Sequence, residues 1–305
     1  MNITDYHATS PLVLLRNYHF TLADSQTLHL SPYIVTYHRP TNLHSSIRPS
    51  NPQPYLSTKA AEILRSVYAC RLMSARQIER LYFNNNNSPL TAARICRRTL
   101  KSLAEQDILR RRQRRVGGIR AGSASYIYSI GPVGARLVSD RRVHYYIQDP
   151  SDYFIEHTLA LAELYVQLHE QSRKGHFKIL EIHTEPKCWR SYITLATGKQ
   201  SLRPDMYVRL SVGNDELSYF IEMDRGTTFA PSLLKKLHTY EDYYMSANEQ
   251  RDQGVFPQVL WIVPNSKRQI MLTELCRPMN ERIPGICKVT VSAYGITSML
   301  GTEPP

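Results

Sequence analysis

Residues 88–115 read SPLTAARICRRTLKSLAEQDILRRRQRR, and the fold of the first half turns on how the front of this stretch coils. Ser88 followed by Pro89 is a helix opening, because the fixed φ of proline suits the first turn and its missing N–H is not needed there. Wound at about 100° per residue, Ala92, Cys96, Leu100 and Leu103 fall within one sector of about 80°. Arg94, Arg97, Arg98 and Lys101 fall within an opposite sector of about 100°, joined at its C-terminal end by Glu105. Such a helix buries one face and offers four cations on the other.

Upstream, Ser57 or Thr58 can cap a helix running to about Arg71, with Ile63, Leu64 and Val67 inward. Ser74 can cap a second, SARQIERLYF, which ends in the polar turn NNNNSP. Downstream, DILRRRQRR and SYIYSIG flank the Gly-containing stretch VGGIRAGSA and predict a two-stranded hairpin, followed by a short helix, GPVGARLV. Three helices and then a basic hairpin is the order of a winged helix-turn-helix. Cys96 reads as a small core residue, and Tyr126 and Tyr128 as residues that pack the hairpin.

The charge distribution says what such a unit would meet. The chain has 305 residues and a formal net charge of +12. Between Lys59 and Arg142 there are 18 Lys/Arg and five Asp/Glu, so this stretch carries the whole excess and the remainder is close to neutral. A polyanion is the expected partner, and nucleic acid ranks ahead of an anionic membrane because no basic amphipathic stretch has a broad Leu/Phe/Trp face. Arg94, Arg97, Arg98 and Lys101 are then candidates for guanine edges and phosphates in a major groove. Arg110, Arg111, Arg112, Arg114, Arg115 and Arg120 on the hairpin suit phosphates or an adjacent minor groove. Affinity resting on six to ten phosphate contacts should fall about 10³–10⁵-fold between 50 and 200 mM salt.

Other classes are disfavoured. No apolar run approaches the roughly 18 residues of a membrane span, and MNITDYHATSPLVLLRNYHF lacks the plan of a secretory signal. The five cysteines are scattered and odd in number, against a disulfide framework or a zinc site, and a cytoplasmic location is expected. No phosphate-binding GxxxxGK[ST] or GxGxxG loop appears, nor GxSxG. Tyr240, Tyr243 and Tyr244 read as core rather than nucleophiles, since no cluster of histidines accompanies them. His157 reads as a first-turn hydrogen-bonding residue, and His176 and His183 carry no ligand spacing.

The second half predicts an α-β-β-β-α-β order: a helix at 156–171, strands at 176–186, 203–212 and 216–224, a long helix at 231–250 and an apolar, central strand at 256–264. A helix (266–279) and a strand (287–294) follow. Asp205 opens a strand after Pro204, and Glu222 and Asp224 alternate on the next, so all three can share a cation. Glu163 lies inside the apolar stripe of the preceding helix, where a carboxylate needs a partner. Leu233, Leu237, Tyr240 and Tyr244 form the inward stripe of the long helix, with Lys236 at its border and Lys235 turned away.

RPDMYV followed by FIEMD resembles the PD-(D/E)xK nuclease superfamily. More specifically, YSIGPVGARLV, EH, LRPDMYV, FIEMDRGTT, KKLHTYEDYY and FPQVLWIVP, in that order over roughly residues 57–270, resemble the replication-relaxation family of plasmids and integrative elements. The resemblance implies winged-helix DNA-binding proteins of replication or mobilisation with a nuclease-like second domain. The sequence departs from the nuclease motif where lysine should stand two residues after the acid: it has Asp224, and Lys236 is the candidate substitute.

The expected architecture is mixed α+β and α/β: an N-terminal winged helix-turn-helix followed by a restriction-endonuclease-like αβββαβ domain. The boundaries are an extended arm at 1–56, the winged helix at 57–142, a linker at 143–154, the α/β domain at 155–300 and a tail at 301–305. The favoured function is a DNA-binding accessory or regulatory protein with a non-catalytic second domain, its acids hydrogen-bonded by Arg203, Arg225 and Lys236. One alternative is a metal-dependent nickase using Asp205, Glu222, Asp224, Lys236 and Glu163, with Mg²⁺ or Mn²⁺ on Asp205 and Glu222. The other is an adaptor that brings a relaxase or other partner to DNA. The expected partners are double-stranded DNA, a second copy in a homodimer, and a replication or mobilisation protein, with no membrane.

Overall fold

Helix α1 (Thr58–Cys70) begins at the expected cap, where the Ser57 hydroxyl accepts the Ala60 N–H, and it turns Ile63, Leu64 and Val67 inward. The computed structural model describes residues 56–84, 88–112, 126–138, 150–194 and 198–302, all within one compact unit, Tyr55–Pro305. All of the 1–56 arm but Leu56, and most of the 143–154 linker and 301–305 tail, lie outside the described residues. After α1 comes a short strand the sequence reading did not foresee, β1 (Leu72–Ser74). A capping box between Ser74 and Gln77 starts α2 (Ala75–Tyr82). Helix α3 (Pro89–Glu105) has its proline in the first turn and buries Ala92, Cys96, Leu100 and Leu103, the predicted four.

Strands β2 (Leu109–Arg112) and β3 (Ile127–Ile130) pair antiparallel, and β1 adds to the other edge of β3, giving the order β1-β3-β2. Residues 113–125 between β2 and β3 lie outside the described residues, and Arg114, Arg115 and Arg120 with them. Helix α4 (Pro132–Val138) closes the unit at very short range. A Cβ at Gly134 would lie 2.1 Å from the Ile108 carbonyl oxygen and 2.9 Å from Leu64 Cδ1, so only glycine admits the contact.

The second sheet has the order β10-β9-β8-β7-β4, formed by β4 (Lys178–Thr184), β7 (Met206–Val212), β8 (Asp215–Met223), β9 (Gln258–Val263) and β10 (Cys287–Val291). Strands β4, β7 and β8 run antiparallel, and β8, β9 and β10 parallel. The apolar β9 is flanked on both sides, as a strand buried on both faces must be. Helices α6 (Ala230–Met245) and α8 (Ser266–Arg282) cover one face, against Phe220, Val259, Trp261 and Val263. Helices α5 (Asp152–Arg173) and α9 (Gly295–Met299) cover the other, against Met206, Val208, Ile221, Leu260 and Ile262.

Two features differ from the expected order. Between β4 and β7 a hairpin, β5 (Arg190–Thr194) and β6 (Gly198–Leu202), forms its own two-stranded sheet. The long helix expected at 231–250 breaks at Ala247, whose φ is 53°, and a short α7 (Asn248–Gln253) follows. With the hairpin in place Tyr243, packed at a tilt against Tyr192, is buried, and Tyr244 is only half-buried.

Helix α5 belongs to both cores. Ala162 and Val166 pack among the residues of α1 to α3, while Leu164 and Leu168 pack on the sheet. A helix apolar on two sides is what a position between two layers demands.

Candidate functional site

The basic site follows from the exclusion of charge from the α3 core. With Ala92, Cys96, Leu100 and Leu103 fixed inward, Arg94, Arg97, Arg98 and Lys101 are all exposed. Lys101 lies 3.7 Å from Glu105, but both side chains are about two-thirds exposed (71% and 63%), so water screens the pair. Arg94, Arg97 and Arg98 make no ion pair with any described residue. Leu90 joins them: it is 82% exposed and lies two turns before Arg97, within the cationic sector. The sequence signal was there, since position 90 falls at the same angle as the arginines. On β2, Arg111 is exposed and its guanidinium sits 4.6 Å from the Tyr126 ring centre, while Arg110 and Arg112 are half-buried.

The acidic site is built by strand pairing. Met206 of β7 stands opposite Ile221 of β8, which places Asp205 beside Glu222, and the Asp205 N–H donates to the Ile221 carbonyl at 3.1 Å. Helix α6 crosses this end of the sheet and delivers Lys236 and, one turn later, Tyr240. The Lys236 ammonium donates to Glu222 Oε2 and lies 4.0 Å from Asp205 Oδ1. The Tyr240 hydroxyl donates to Glu222 Oε1 at 2.6 Å. Asp205 Oδ2 accepts the Met223 N–H at 2.8 Å and faces His157 Nε2 of α5 at 3.2 Å. Glu222 is 2% exposed and Asp205 9%.

Burial and neighbouring charge then pull these groups apart. Burial pushes the Glu222 carboxyl up to about 8, ahead of the opposing pull of Lys236, and the nearby Asp205 charge adds to the rise. Burial would also raise Asp205, but the Lys236 ammonium, His157 and the Met223 N–H hold it below its ordinary value. For Lys236 and His157 burial works downward, and the carboxylates prevail and raise both. Of the two carboxyls, Glu222 is therefore the one that takes up a proton first as pH falls.

Asp224 and Glu163 do not join this cluster. Asp224 lies one residue beyond β8, and Arg268 of α8 grips it with two hydrogen bonds, 2.5 and 3.1 Å. A guanidinium fork matches the two oxygens of a carboxylate, so the Asp224 charge is already paired. Glu163 faces α2 instead of the sheet: Arg80 donates to it at 2.6 Å and to Glu170 at 2.8 and 2.5 Å. Its side chain is 36% exposed, so the expected burial cost does not arise. The other expected cations also differ, with Arg225 3.3 Å from Glu156 and Arg203 stacked on Trp189. Among the described residues no group of three or more His, Cys, Asp and Glu side chains converges to hold a metal ion. Of the residues the sequence reading undervalued, Tyr240 carried a signal, since it lies four positions after Lys236 on one helical face. The contacts of His157 and Arg268 carried none, being set by tertiary packing.

No curated protein matches the chain. Among solved structures, the restriction endonuclease FokI bound to DNA is similar at 13% identity, over 81% of this chain and 45% of that one, with a TM-score of 0.24, a likeness too low to assign the fold. The chain spans less than half the length of that protein chain. No helix among the described residues is long and apolar enough to cross a membrane. The replication-relaxation family model matches residues 64–259, through α1 to α3, the β5–β6 hairpin and the Asp205–Glu222–Lys236 cluster, and the chain belongs to that family.

Proposed function

We propose that the chain is a DNA-binding accessory or regulatory protein of plasmid or mobile-element replication or mobilisation, reading duplex DNA through a winged helix-turn-helix at 57–142. The observation that carries this reading is the α3 face, where Arg94, Arg97, Arg98 and Lys101 stand exposed and opposite a buried apolar stripe. In a major groove these cations would meet guanine edges and phosphates, and the exposed Leu90 would meet a thymine methyl. Arg111, stacked on Tyr126, would hold the backbone beside it, together with Arg112, Arg114, Arg115 and Arg120. Fluorescence anisotropy on duplex DNA at rising salt tests it. Arg97→Ala/Arg98→Ala should weaken binding at least tenfold and flatten the salt dependence. Wild-type affinity that ignores salt would sink the reading.

In this reading the α/β domain at 155–300 is non-catalytic. Its support is that each acid of the predicted nuclease set already has a cation of the chain: Lys236 for Asp205 and Glu222, Arg268 for Asp224, Arg80 for Glu163. One observation favours a second reading, a metal-dependent nickase: Lys236 stands beside both Asp205 and Glu222, as a substitute for the missing motif lysine would. Two carboxylates are a donor set that Mg²⁺ or Mn²⁺ accepts with water completing its shell, and the ion would lower the pKa of a bound water and offset developing charge. Supercoiled plasmid incubated with Mn²⁺ separates the readings. Nicking by wild type that disappears in Asp205→Asn supports the nuclease, and no nicking supports the scaffold.

A further inference from the structure

The stretch 186–204 carries Lys187, Arg190, Lys199 and Arg203 and no Asp or Glu, and strand pairing sorts its side chains onto two faces. The register Arg190↔Leu202, Tyr192↔Gln200 and Thr194↔Gly198 makes one face. That face docks: Arg190 pairs with buried Glu249 at 2.9 Å, the Tyr192 ring packs at a tilt on Tyr243, and Leu202 is buried. The other face takes Ser191 with Ser201 and Ile193 with Lys199, and just beyond the strand ends Arg203 meets Trp189.

This second face looks outward. Arg203, Ser191, Lys199 and Ile193 are exposed, Ile193 by 77%, on a hairpin otherwise held by the protein. The Arg203 guanidinium lies over the Trp189 ring, 4.7 Å from its centre, and the contact restrains it there. Its N–H donors make no hydrogen bond or ion pair with a described residue. A guanidinium oriented this way loses little entropy on meeting a phosphate. Arg203 is also two residues from Asp205, so the face adjoins the acidic cluster in the chain.

We infer that the outward face of the β5–β6 hairpin is a second duplex-DNA contact, with Arg203 and Lys199 on phosphates and Ile193 at the groove edge. A two-stranded ribbon of this width enters or straddles a groove, and two cations, two hydroxyls and no acid suit a sugar–phosphate backbone rather than a protein surface. The inference rests on the DNA-binding reading above, and its test tells the two apart.

Anisotropy titrations on one duplex would compare wild type, Lys199→Ala/Arg203→Ala and Arg97→Ala/Arg98→Ala. The hairpin variant should bind roughly tenfold more weakly, with the slope of log affinity against log salt reduced by about 1–2. Unchanged affinity and slope in the hairpin variant, with binding lost in the α3 variant, overturns the hairpin contact alone. Wild-type behaviour in both variants overturns the DNA-binding reading as well. A second measurement does not depend on charge removal: Ile193→Cys labelled with a benzophenone maleimide, the five native cysteines being buried. Illumination should cross-link the protein to duplex DNA, and a labelled protein that binds DNA without cross-linking overturns the contact. Preference for a protein partner or for single strands over duplex does so too.

Discussion

Glu222 shows how one buried carboxyl governs the chemistry around it. Burial lifts it from an ordinary 4.5 to about 8, even with the Lys236 ammonium and the Tyr240 hydroxyl donating to it. A carboxyl raised on folding keeps its proton in the folded state where the unfolded chain has lost it. Stability contributed this way is present below pH 4.5 and declines as pH rises towards 8. Asp205 has the opposite sign: it is held below its ordinary value, so its contribution stands above that value and is lost on acidification. His157, raised by the same carboxylate, stabilises most in acid and loses its share as pH climbs through its folded value. Glu222→Gln removes the first of these effects, and with it the carboxylate's share of the rise at Lys236. Thermal melts at pH 5 and pH 8 should show a smaller alkaline loss of Tm in Glu222→Gln than in wild type. An equal loss in both would mean Glu222 is ionised throughout.

At the scale of elements, α4 packs very closely on the strand entrance in the first half. The Gly134 Cα faces the Ile108 carbonyl, and an added methyl group has backbone, not a movable side-chain end, to meet at 2.1 Å. Gly134→Ala should therefore cost about 1–3 kcal/mol through displacement of α4, read as a lower urea midpoint with the slope unchanged. Elements of this half were legible because each carried a local signal: Ser57 and Ser74 as caps, Pro89 in a first turn, and a period of 3.6 in α3. The three helices, strand β3 and the short closing helix stand within a residue or two of their expected bounds, and the basic strand β2 is seen as far as Arg112, where the described residues stop. The β5–β6 hairpin escaped because its alternation is muted, with Ser191, Ser201, Lys199 and Arg203 outward and the charged Arg190 inward on Glu249. The acidic site was legible in part for a related reason. Strand alternation and helix period bring Asp205, Glu222 and Lys236 together, whereas the capture of Asp224 depends on Arg268, 44 positions away. Nothing local in the sequence marks that pair.

For the molecule as a whole, the decisive feature is a helix that no boundary drawn in the sequence anticipates as shared. Helix α5 sends Ala162 and Val166 into the core of α1 to α3 and Leu164 and Leu168 into the core of the sheet. Polar links reinforce the join: Arg80 on Glu163 and Glu170, Arg173 on the Leu81 carbonyl at 2.6 Å, and Thr184 on the Ala69 carbonyl at 2.6 Å. If α5 melts, both cores lose a wall, so the basic unit and the sheet should unfold together. Leu168→Ala tests this from one side, because Leu168 is fully buried and belongs to the sheet core. The substitution should cost about 2–5 kcal/mol. Hydrogen exchange followed by mass spectrometry should then show faster exchange in the α1 and α3 peptides as well as in β7 and β8, by similar factors. Acceleration confined to the sheet peptides would mean that the two halves open independently. In that case the basic face and the acidic cluster would not hold a fixed geometry relative to each other.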